Sequence, residues 1–160
     1  MKSNLTPLLA YPKIKHYCSY SERCQYEVKE KLFSMGLSKA DVDEMLSRLI
    51  GEDILNEERF CIQFAGSHFR QKKWGRVKIV HALRQKRVSE PNIKKALREI
   101  ADDDYMVTLQ KTALTKWDLL KNEQYINRQA KTTAYLLQKG YEAPMIREVI
   151  NRIREEKNKV

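Results

Sequence analysis

Eight basic side chains gather between positions 70 and 87: Arg70, Lys72, Lys73, Arg76, Lys78, Arg84, Lys86 and Arg87, with Trp74 in their midst. Lysine offers a point charge and arginine a planar fork for phosphate or carboxylate. Together they suit a polyanion held without regard to its sequence, with affinity falling steeply as salt rises. Trp74 could add stacking on a base. This is the chemistry of reversible binding, not of bond making. The formal net charge is +10, and residues 66–100 carry 11 basic against 2 acidic side chains, while residues 1–65 are net −1 and residues 101–160 net +2. A solvated face accounts for any one basic helix. So large an excess in the middle third argues instead for a polyanionic partner: DNA, RNA or an acidic protein patch.

The other reactive residue types do not assemble into a site. His16, His68 and His81 lack ligand spacing, and Cys61 with His68 has no second pair to complete a tetrahedral metal site. Cys24 as a nucleophile would need a positioned base, and none can be named. Asp102, Asp103 and Asp104 suit a helix N-terminus better than a cation site. Trp117 reads as packing. No glycine-rich phosphate loop is present. The expectation is a non-enzyme with no catalytic residue, no metal and no cofactor.

Helices must carry the basic cluster. Leu, Ile, Lys, Arg, Glu and Gln dominate, whereas Gly and Pro number only 5 and 4. One pattern recurs about every fifty residues: Leu32, Gly36, Val42, Leu46, Leu49; then Leu83, Arg87, Ile93, Leu97, Ile100; then Leu136, Gly140, Ile146, Ile150, Ile153. Val28, Ile79 and Thr132 precede the three copies in register. Such a period marks supersecondary units that bury their apolar faces together. The reading is all-α, with three tandem three-helix modules in an elongated, bent arrangement and about eight helices, the first module lacking its leading helix. Residues 1–18, with Pro7 and Pro12, are expected to be a polar, extended lead-in. Modules are expected at 19–53, 54–103 (the basic one) and 104–154, followed by a charged tail at 155–160. Ser19 and Glu22 form a capping box for the first helix, and Gly36 suits the left-handed position that ends it. Asn56 and Ser89 are expected N-caps, and Trp74-Gly75 a turn.

No run approaches the roughly twenty apolar residues of a membrane span, and Leu8-Leu9-Ala10 is too short for a signal core. Three cysteines, Cys18, Cys24 and Cys61, make an odd number without paired spacing, so reduced thiols in the cytoplasm are expected.

Several segments resemble one known family in order and spacing. They are Ser21-Glu22, Leu32 with Gly36, Asp53-Ile54-Leu55-Asn56-Glu57-Glu58-Arg59-Phe60, and above all Trp74-Gly75-Arg76-Val77-Lys78-Ile79 running on to Leu83-Arg84-Gln85-Lys86. They are similar to the RecX regulators of the bacterial recombinase RecA, over roughly residues 19–153. Arg87 departs from the family's usual glycine, and Cys61 from its usual alanine. The resemblance implies a non-catalytic, bent string of three-helix modules that lies in the groove of the RecA–single-stranded DNA filament, inhibits its ATPase and strand exchange, and promotes its disassembly. The implied partners are that filament and the single-stranded DNA within it, with at most weak binding of free DNA, no membrane, and a monomeric state. The other reading the residues allow is a direct, sequence-independent nucleic-acid-binding helical module.

Overall fold

The computed structural model describes residues 4–157, and among them there are nine helices and no strand. They are α1 (Pro7–Tyr20), α2 (Gln25–Ser34), α3 (Lys39–Gly51), α4 (Glu57–Lys72), α5 (Arg76–Gln85), α6 (Glu90–Arg98), α7 (Asp102–Leu119), α8 (Tyr125–Gln138) and α9 (Ala143–Lys157). The sequence repeat is a structural repeat. Val28, Ile79 and Thr132 are fully buried, as are Leu32, Leu83 and Leu136 one turn on. Each copy then ends its helix in the left-handed region, at Gly36 (φ +86°), Arg87 (φ +58°) and Gly140 (φ +95°). Arg87 thus takes the glycine conformation without being glycine.

The described residues pack as two compact units. One comprises residues up to Phe64 together with Leu83–Ala96, the other Ala65–Ala82 and everything from Leu97 onward. In the first unit α1, α2 and α3 pack mutually. Two expectations are corrected here. Within the segment expected as an extended lead-in, residues 7–18 belong to α1, while residues 1–3 lie outside the described residues, so the first trio is complete. Thr6 caps this helix by accepting from the Leu9 N–H, and Pro7 occupies the first turn, where a missing N–H costs nothing. Pro12, inside the helix, forfeits one backbone bond, but Ala10, Tyr11 and Ile14 are buried and hold the segment down. The capping box is also displaced: Cys24 is the N-cap of α2, and Glu27 accepts from its backbone N–H at 3.4 Å. Glu22 instead pairs with Arg59, whose guanidinium also reaches Asp53 at 3.3 Å and so braces the turn before α4. Asn56 caps α4 as expected, accepting from the Arg59 N–H at 2.9 Å.

In the second unit α7, α8 and α9 pack mutually. Tyr105, Leu109, Ala113 and Trp117 fall every fourth residue along α7 and are buried. Asp102, Asp103 and Asp104 occupy its first turn, where carboxylates oppose the helix dipole. The Trp74-Gly75 turn docks against the end of α8. The Gly75 N–H donates to the Lys139 carbonyl at 2.7 Å, and the Val77 N–H to the Gly140 carbonyl at 2.9 Å.

Candidate polyanion interface

The second unit holds Arg70, Lys72, Lys73, Trp74, Arg76 and Lys78, placed by the end of α4, the turn and the start of α5. Lys73 ends α4 in the left-handed region (φ +60°), and the terminal carbonyls of α4 are closed from a distance. Lys139 Nζ donates to the Lys72 carbonyl at 2.8 Å, and the Tyr141 hydroxyl to that of Lys73 at 2.7 Å. A cation at a helix C-terminus also opposes the negative end of the dipole. Trp74 is half-buried, with the His68 ring at 4.6 Å and the ammonium groups of Lys78 and Lys72 at 4.7 and 5.4 Å from its centroid. Among the described residues Arg70, Lys72, Lys73 and Lys78 have no carboxylate at ion-pair distance.

Arg76 is different in kind. Its guanidinium bonds Glu142 at 3.0 Å and Asp102 at 2.7 Å, and lies 3.8 Å from the Tyr105 ring centroid. The Arg76 backbone N–H donates to the Tyr105 hydroxyl, which in turn donates to Glu142. Burial, then that bond to Glu142, pushes the Tyr105 phenol above the ordinary tyrosine range. The network ties the first turn of α5 to the starts of α7 and α9. Arg76 therefore has its charge answered inside the fold.

Arg84, Lys86 and Arg87 belong to the first unit. Arg84 makes two bonds to Glu90, at 2.8 and 3.2 Å. Lys86 lies 3.8 Å from Glu27, and the Arg87 guanidinium is 4.7 Å from the Tyr26 centroid. The eight basic residues close together in sequence thus divide between two units, and three of them, Arg76, Arg84 and Lys86, meet a carboxylate within the fold. The signal that could have warned of this is the acidic composition of the segments they meet, Glu27, Glu90, Asp102 and Glu142, which no local spacing reveals.

The remaining reactive types sit as follows. Cys18, Cys24 and Cys61 are free thiols, and burial pushes Cys24 and Cys61 up to about 12. His81 is exposed, and His16 shares a 3.0 Å hydrogen bond with the Tyr20 hydroxyl. Among the described residues no three His, Cys, Asp or Glu side chains are grouped to hold a metal ion. Trp117 is 2% exposed, under the Arg128 guanidinium at 4.3 Å.

Comparison with known proteins places these elements. The family model for the second three-helix domain of RecX matches residues 56–97, which contain α4 and α5 and nearly all of α6, and that for the third matches residues 102–150. The regulatory protein RecX of Chlorobium phaeobacteroides is 30% identical over 132 residues, covering 82% of this chain and 85% of its own length. That of Prosthecochloris aestuarii is 29% identical over 137 residues, covering 86% and 88%. The crystal structure of RecX from Lactobacillus salivarius superimposes with a TM-score of 0.84 at 22% identity, covering 92% of this chain and 96% of that one, a likeness of fold.

Proposed function

Since the chain belongs to the RecX family of regulatory proteins, we propose that it is a negative regulator of the RecA recombinase, binding the RecA–single-stranded DNA filament in its groove and inhibiting ATPase and strand exchange. The observation that carries this reading is family likeness extending over most of both chains, across helices that contain the basic segment. The regulator acts as a cytoplasmic monomer of three helical modules and catalyses nothing itself. Among the described residues no helix is long and apolar enough to cross a membrane.

The unanswered charges of Arg70, Lys72, Lys73 and Lys78 supply the electrostatic anchor in this reading, with Trp74 between them. The chain would obstruct incoming duplex or hold the filament in a state that does not cycle. Those same charges favour the second reading, direct sequence-independent nucleic-acid binding, if they prove sufficient without a recombinase.

The deciding experiment is the DNA-dependent ATPase of preformed RecA–single-stranded DNA filaments from the same organism, with this protein titrated in. The expected result is inhibition at or below stoichiometric ratio to recombinase. Unchanged hydrolysis at large excess would remove the recombinase reading.

A further inference from the structure

A second basic surface lies on α7 and α8, hidden from the sequence because its lysines are far apart in the chain. Lys73, Lys111, Lys116 and Tyr135 line a trough of about 260 Å³ in the second unit. The Lys116 and Lys139 ammonium groups stand 4.8 and 5.8 Å from the Tyr135 ring centroid. This repeats the arrangement at Trp74, where Lys72 and Lys78 flank the ring. The two clusters adjoin, because Lys139 Nζ is bonded to the Lys72 carbonyl and Lys73 lines the trough. Among the described residues Lys111, Lys116 and Lys139, like Lys72, Lys73 and Lys78, have no carboxylate at ion-pair distance.

Three features choose the occupant. Unanswered like charges on one surface repel one another, and a polyanion relieves them. Two part-exposed rings, each flanked by two lysines, offer π faces for bases and point charges for phosphodiesters, as single-strand binders do. Of the seven cations on the two clusters only Arg70 is an arginine, so point charges suited to phosphodiesters outnumber the forks that best match the carboxylates of an acidic protein. The trough is also smaller than a pocket that encloses a small ligand, so a strand crossing it fits better than a bound nucleotide.

We propose that the Lys111–Lys116–Tyr135 trough, continuing from the Trp74 cluster, binds a short stretch of single-stranded DNA directly, without recombinase. The choice of DNA among polynucleotides rests on the filament reading above; the binding chemistry stands apart from it.

The test is fluorescence anisotropy of a labelled oligothymidylate with the full chain and no recombinase, across a salt series. Lys111→Glu with Lys116→Glu is expected to weaken binding at least tenfold at low salt. Lys111→Ala with Lys116→Ala should lower the slope of log affinity against log salt by about 1.4, from two lost phosphate contacts. Tyr135→Leu should weaken binding about fivefold or more through lost stacking. Circular dichroism checks each variant, and the alanine pair decides the matter if the reversal costs helicity. The proposal is overturned if the unaltered chain does not bind, if the alanine pair binds with unchanged slope, or if polyglutamate competes as well as the oligothymidylate. The filament ATPase, run in parallel, separates the two readings. DNA binding without ATPase inhibition would refute only the filament role, and inhibition without DNA binding only the trough.

Discussion

Gly75 and Gly140 meet backbone to backbone: a Cβ on Gly75 would overlap the carbonyl group of Gly140, and one on Gly140 would overlap Lys78. This contact seats the turn before α5 on the turn after α8, between hydrogen bonds from Gly75 and Val77 to the Lys139 and Gly140 carbonyls. Only the absence of a side chain at both positions permits so close an approach.

Gly75→Ala should therefore destabilise the fold by about 1–3 kcal/mol, the usual range for forcing extra volume into a packed site. Urea unfolding measures it. Gly51→Ala is the control, since a Cβ there meets nothing within 4 Å; a loss at Gly75 no larger than at Gly51 would contradict the contact.

Arg87 stands at φ +58° with its guanidinium on Tyr26. A residue with a Cβ costs roughly 1 kcal/mol in that region, while the cation–π contact returns about 0.5–1 kcal/mol. Arg87→Gly should consequently be close to neutral, and Arg87→Ala less stable than Arg87→Gly by about 1 kcal/mol. Equal melting temperatures for the two variants would count against left-handed backbone there.

Charge removal should separate the basic residues into two kinds. Arg76→Ala takes the guanidinium from Glu142, from Asp102 and from the Tyr105 ring, and should cost about 1.5–3 kcal/mol as charge-assisted bonds are lost. Lys78→Glu and Lys72→Glu should change stability by less than about 0.5 kcal/mol, as for most surface substitutions. The proposed anchor is thus best probed by reversing Arg70, Lys72 and Lys78 together, with Arg76 retained. That triple variant should lose filament inhibition while its circular dichroism stays that of the parent.

Stability should fall in alkali. The Cys24 and Cys61 thiols are raised by burial from an ordinary value of 9.0 to about 12. Between those values the unfolded chain loses protons that the folded chain keeps, so the stabilisation present below pH 9 is lost as pH rises towards 12. Cys24→Ala with Cys61→Ala should flatten the decline in melting temperature above pH 9. Both thiols should also react with Ellman's reagent more slowly in the native chain than in urea.

Helix termini were largely legible because they are written within a few residues. Asn56, Gly36 and the Trp74-Gly75 turn act where local chemistry places them. The repeat was legible for the same reason, since burial at Leu32, Leu83 and Leu136 follows from helical spacing alone. Helix α1 is not legible locally because Pro12 is unfavourable inside a helix, and what overrides it is burial of Ala10, Tyr11 and Ile14 against the first unit's core.

The sequence by itself determined an all-helical chain, its threefold register and the run of basic residues in its middle third. The tertiary structure alone decided which of those charges face solvent. Arg76 meets Glu142 across 66 residues, and Lys139 reaches Lys72 across 67. A charge is spelled by one residue, but whether it is answered depends on what the fold brings beside it. Coulomb attraction acts over a few ångströms of space, whatever the separation along the chain.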